Sequence, residues 1–258
     1  KPLRQVVTAT SDGALAATEL EKYVAKVQER TGIRTQDPVE REKVVAGEQR
    51  TVSTQGNDGI FDAQMRAQLE TVFSRMENSL VLKLYLDDRT VSQELEAYVE
   101  SLVAMTDKIT MQVVKEHHEL YVPCVRLYRQ GDVYTGLAFH GVPGGHEFSS
   151  FVLGMYNAAG PGQAIEEDVK KRVQDLKHPV DIKILVTLSC SMCPDLVVAA
   201  QHLAAISDMI TTEVYDVRHF ESLGKEYNVM SVPCMVINDE HVLFGKKTMQ
   251  QVLEIIEK

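Results

Sequence analysis

Tryptophan is absent from this 258-residue chain and cysteine is scarce, with Cys124, Cys190, Cys193 and Cys234 making up the four. Four cysteines are too few to staple a disulfide-built secreted scaffold of this length, and they fit a reducing, cytoplasmic compartment. Positive charge is also short: 27 Lys and Arg stand against 37 Asp and Glu, for a net charge of −10. That balance excludes nucleic acid and anionic membranes as partners, because both demand a basic surplus. No apolar run approaches the ~20 residues of a membrane helix, and no basic-then-apolar leader opens the chain, which reads as soluble. No G-x-G-x-x-G follows any strand pattern, so neither FAD nor NAD(P) is expected as a cofactor within this chain. The first residue is Lys1 rather than Met, which suggests a piece of something longer.

What is present suffices for one large or two small domains, since 44% of the residues are hydrophobic. Residues 4–10 read as a strand, and Ala14 to Arg30 carry Leu15, Leu20, Tyr23, Val24 and Val27 at helical spacing. Residues 34–60 are polar and contain Pro38, Gly47, Gly56 and Gly59, the composition of a linker. From Phe61 onward a denser pattern occurs twice, over residues 61–160 and 161–258.

In each copy a helix leads into an apolar strand, Leu80 to Leu86 in the first and Val180 to Val186 in the second. An amphipathic helix follows (from about Val91 and about Ser191), then a second strand, then Val-Pro-Cys opening a third. The strands align 100 residues apart at Leu82/Ile182 and Leu84/Ile184, but Val122-Pro123-Cys124 and Val232-Pro233-Cys234 stand 110 apart, so the second copy holds ten more residues. The fold class is α/β. At the 100-residue offset Thr90 and Gln93 stand where the second copy has Cys190 and Cys193, so the first copy has the frame without the dithiol. Gly160-Pro161-Gly162 marks the joint.

Strand, then Cys-x-x-Cys at a helix start, then Val-Pro before a hairpin, is the pattern of the thioredoxin fold. Two such units with cysteines only in the second resemble the N-terminal tandem-thioredoxin module of the alkyl hydroperoxide reductase flavoprotein family. Gly145-His146-Glu147-Phe148, Leu188-Ser189-Cys190-Ser191-Met192-Cys193-Pro194-Asp195 and Asn228-Val229-Met230-Ser231-Val232-Pro233 carry the likeness. Residues 4–17 resemble the last strand, turn and helix of a thioredoxin-reductase-type flavin domain. Residues 1–33 are therefore expected to be the end of such a domain, with FAD and NADPH held by the rest of it.

Cys190 at a strand-to-helix junction can accept hydrogen bonds from first-turn amides, which lowers a thiol pKa and makes it the attacking nucleophile. Cys193 is placed to resolve a mixed disulfide. A zinc site would need two further ligands from Cys234, His202 and His219, and no second Cys-x-x-Cys or His-x₃₋₅-His exists, so redox chemistry is favoured. The resemblance implies a cis bond at Pro233, exposing the Val232 backbone to a partner peptide, and the same geometry at Pro123. It also implies that Glu147 faces the dithiol and shuttles a proton; the plain alternative is a carboxylate complementing a helix N-terminus. Cys124 and Cys234 read as small buried hydrophobes, Met65, Met76 and Tyr98 as core, and His117-His118 as a solvated loop.

The resulting expectation is a dithiol–disulfide relay from the parent flavin reductase domain to a peroxiredoxin or a thioredoxin- or glutaredoxin-like acceptor. The alternatives are a protein disulfide oxidoreductase or isomerase, and a redox-switched protein-binding module.

Overall fold

The computed structural model describes residues 60–117, 119 and 121–257. The strand, helix and linker expected before Ile60 lie outside the described residues. The described chain runs α1 (Ala63–Arg75), β1 (Leu80–Tyr85), α2 (Thr90–Val103), β2 (Ile109–Val114), β3 (Cys124–Arg129), β4 (Val133–His140) and α3 (Glu147–Ala159) in its first half. The second half runs α4 (Glu167–Gln174), β5 (Val180–Val186), α5 (Cys193–Ala205), β6 (Ile210–Asp216), α6 (Glu221–Glu226), β7 (Cys234–Ile237), β8 (His241–Phe244) and α7 (Met249–Ile256). All eight strands form one sheet, ordered β2-β1-β3-β4-β6-β5-β7-β8. Each half contributes a parallel pair followed by two antiparallel strands, and β4 joins β6 in parallel at the seam.

Period-2 alternation decides which side of the sheet is apolar. Leu80, Leu82 and Leu84 in β1, and Val180, Ile182 and Ile184 in β5, point into one core shared with the helices. The opposite face of the second half has its own cluster, where Leu223 of α6, Phe220 and Tyr227 cover Leu185, Tyr215 and Cys234. The ten extra residues of the second copy are accounted for here: nine fall between β6 and the Val-Pro turn, and they contain α6. Over the matching face of the first half, Lys83 lies 4.4 Å above the Tyr128 ring and Arg126 5.2 Å above that of Tyr85. His117 packs edge-on against Tyr85 and bonds the Leu86 carbonyl at 3.1 Å, so it is tied to the sheet rather than solvated.

The seam is polar and fully engaged. His140 stacks on Tyr215 with ring centroids 4.0 Å apart and bonds Glu213 at 3.2 Å, while the Tyr134 and Tyr215 hydroxyls donate to the same carboxylate at 3.0 and 2.8 Å. Burial pushes the Glu213 pKa up, but His140, Arg126 and Tyr215 outweigh it and hold the carboxyl at about 2. At Gly136 of β4, with φ +78°, a Cβ would stand 2.6 Å from the Ile210 carbonyl, so only glycine lets the halves meet there.

Candidate active site

The strand-to-helix turn after β5 carries the dithiol. Cys190 donates its backbone N–H to the Thr187 carbonyl at 2.9 Å and is half-buried, whereas Cys193 is the first residue of α5 and fully buried. The helix therefore begins two residues later than the expected Ser191. Pro194 sits in its first turn, where no helix hydrogen bond is lost. The two sulfurs are joined in a disulfide with Cα atoms 5.5 Å apart. Only the Cys190 side of this bond faces solvent.

Both Val-Pro bonds, Val122-Pro123 and Val232-Pro233, are cis. Each turn is braced alike: Gly141 donates its N–H to the Pro123 carbonyl and Gly245 to the Pro233 carbonyl, both at 2.9 Å. Pairing of Leu185 with Cys234 sets the start of β7 beside the exit of β5, so the Val232 turn and the Cys190 turn leave the same end of the sheet.

The first half reaches this site through the segment entering α3. His146 donates its N–H to the Leu188 carbonyl at 3.0 Å, two residues before Cys190. At Gly145, with φ +55°, a Cβ would fall 2.5 Å from the same carbonyl. Glu147, next in the chain, is completely buried. Ser150 donates its hydroxyl to Glu147 Oε2, and Oε1 has no partner. Burial pushes the carboxyl up to about 7 against the opposing Ser150 bond. The other face of this junction is a groove of about 790 Å³ whose lining includes Ser149 and Ser150 of α3, Pro194 and Asp195 of α5, and Lys246 and Thr248 before α7.

The remaining cysteines share one register row that crosses all eight strands as Val114, Tyr85, Cys124, His140, Tyr215, Leu185, Cys234 and Phe244. Cys124 and Cys234 are both buried and four strand spacings apart, about 19 Å, too far to bridge. Burial pushes both thiols upward, that of Cys234 to about 11. Met76 and Tyr98 lie in the core, and Met65 packs against it.

The counterpart of the dithiol in the first half differs from the expected Thr90 and Gln93. β2 and β6 open at Ile109 and Ile210, 101 apart, and the buried faces of α2 and α5 match at the same offset through Leu95/Leu196, Val99/Ala200 and Leu102/Leu203. Arg89 and Ser92 therefore stand where the second half has Cys190 and Cys193. One residue inserted in the Cys190 turn shifts the frame after the strand, a signal already carried by the spacing of the second strands. The Arg89 guanidinium donates to the carbonyl of Val122, the residue before the first cis proline, and to that of His219 at 3.4 Å. The first half's turn is thus closed by its own arginine, while Ser92 hydrogen-bonds Asp87 at 2.6 Å.

Among the described residues no three His, Cys, Asp or Glu side chains cluster as metal ligands, and no helix is long and apolar enough to cross a membrane. The family described as thioredoxin domain matches residues 180–257. The solved NTD_N/C domain of alkylhydroperoxide reductase AhpF from Enterococcus faecalis (V583) is 35% identical with a TM-score of 0.72, covering 76% of this chain and 99% of that one. The corresponding alkyl hydroperoxide reductase polypeptide, AhpF, from Pseudomonas aeruginosa is 29% identical over 77% of this chain, and a Bacillus subtilis protein named NADH dehydrogenase 28% identical over 75%. The chain spans only 37% of the length of those two relatives. With the whole Enterococcus domain matched and the tandem thioredoxin folds in place, the chain belongs to the family of the N-terminal domain of the alkyl hydroperoxide reductase AhpF.

Proposed function

We propose that this chain relays electron pairs by thiol–disulfide exchange at Cys190–Cys193, from a flavin reductase domain to a disulfide on a peroxiredoxin-type partner. The observation that carries the reading is the half-buried Cys190 disulfide-bonded to a fully buried Cys193, beside a cis-proline turn. Two electrons and two protons open that disulfide. The Cys190 thiolate then attacks one sulfur of the partner disulfide, and the other leaves as a thiolate that takes a proton. Cys193, once deprotonated, attacks Cys190 sulfur in the mixed disulfide, which re-forms the intramolecular bond and frees the partner as a dithiol. Glu147, buried and near neutrality in pKa, suits transfer of the exchanged proton. FAD and NADPH belong, in this reading, to the reductase domain and not to residues 60–257.

The test is capture with Cys193→Ser in a cell extract of the source organism. The mixed disulfide at Cys190 is expected to hold a peroxide-reducing thiol protein; a variant that traps only unrelated, unfolded chains would instead favour a general disulfide oxidoreductase.

A further inference from the structure

All ten methionines lie within the described residues, and eight of them are buried or half-buried. The two exposed ones are Met192, 52% accessible, and Met230, 84% accessible. Both stand at the dithiol. Met192 lies between the cysteines, immediately before α5, and Met230 lies two residues before Val232 of the cis-proline turn. The only other large hydrophobic side chains exposed among the described residues are Ile60 and Val133. The apolar rim around the redox bond is therefore made of thioethers.

We propose that Met230 and Met192 are a hydroperoxide-modified site that tunes docking of the partner protein. The thioether lone pair attacks one peroxide oxygen, the O–O bond breaks, an S–O bond forms, and the displaced oxygen takes the proton and leaves as water or an alcohol. Sulfur is oxidised by two electrons and the peroxide is reduced by two. The product is a polar, chiral sulfoxide where an apolar side chain stood, so the rim loses the surface a partner would cover. Competing sulfur is protected in the oxidised protein: Cys190 and Cys193 are tied together, and Cys124 and Cys234 are buried. The docking half of this proposal rests on the relay function above; the chemistry at sulfur does not.

The test exposes the disulfide form to hydrogen peroxide, maps added oxygen by peptide mass spectrometry, then reduces the dithiol and follows exchange with insulin and with 5,5′-dithiobis(2-nitrobenzoate). Met230 and Met192 should gain oxygen about tenfold faster than the other eight. Exchange with insulin should fall about threefold or more, and with the small disulfide stay unchanged, since only a protein covers the rim. In a Met192→Leu, Met230→Leu double variant the ratio of treated to untreated rate should stay near unity. Oxygen appearing first on a buried methionine, a treated native protein that exchanges with insulin at its untreated rate, or a double variant that slows as much as the native chain would each overturn the proposal. An untreated protein that reduces the small disulfide but never insulin contradicts the relay and the docking half with it, while the oxygen map still decides the site.

Discussion

Glu147 is the residue whose chemistry depends most on its surroundings. Its folded pKa of about 7 lies above its ordinary 4.5, because burial disfavours the charge. The native state therefore holds the proton more tightly than the unfolded chain does. The associated stability is complete below pH 4.5 and is lost as pH rises through about 7. Glu147→Gln removes that loss, so at pH 8 it should stabilise the fold by as much as about 3 kcal/mol, while at pH 4 it should be nearly neutral. Urea unfolding at the two pH values measures this; an equal effect at both would mean the carboxyl is not held neutral. The same variant should flatten the pH dependence of disulfide exchange near 7. Cys124 is the contrasting case, a thiol that burial pushes away from reactivity. Cys124→Ala should leave disulfide-reductase turnover within about twofold, and a loss of activity larger than the loss of folded protein would bring Cys124 into the relay.

At the scale of elements, the tie between α3 and the dithiol turn runs through one glycine. Gly145→Ala combines a strained positive φ with a Cβ 2.5 Å from the Leu188 carbonyl, and should cost about 1–3 kcal/mol. Because the displaced carbonyl is two residues from Cys190, exchange should slow even where the protein remains folded; a folded variant with native exchange rates would show that the turn is held by other contacts. The strands on either side of this tie are legible in the sequence, since Leu80–Tyr85 and Val180–Val186 alternate strictly and repeat at a fixed interval. The dithiol is legible from its spacing and its flanking residues. Arg89 is not, because one residue inserted between strand and helix moves the counterpart positions off the offset the strands define. α6 is equally hidden: six residues with Gly224 inside and one buried side chain, Leu223, carry no periodicity to detect. Nor does any pattern announce the burial of Glu147, which depends on α3 packing against α5 from the other half.

Across the whole molecule, the two halves are one sheet joined by a buried ionic seam, yet their chemistry is unequal. The second half presents a redox bond beside a cis-proline turn, and the first presents a turn closed by Arg89. This asymmetry makes the first half a platform that delivers Glu147 to the site rather than a second site. It also means electrons have to arrive from outside residues 60–257. The purified chain should be colourless and should not oxidise NADPH until a reductase is added; a flavin absorption band reducible by NADPH alone would contradict that. The central claim is carriage of one electron pair per dithiol through Cys190, and stopped-flow mixing of the reduced protein with the oxidised partner captured by Cys193→Ser tests it most directly. The account predicts one partner disulfide reduced per Cys190–Cys193 disulfide formed, arrest at a mixed disulfide in Cys193→Ser, and no transfer in Cys190→Ser. Partner reduction that continues in Cys190→Ser would contradict it.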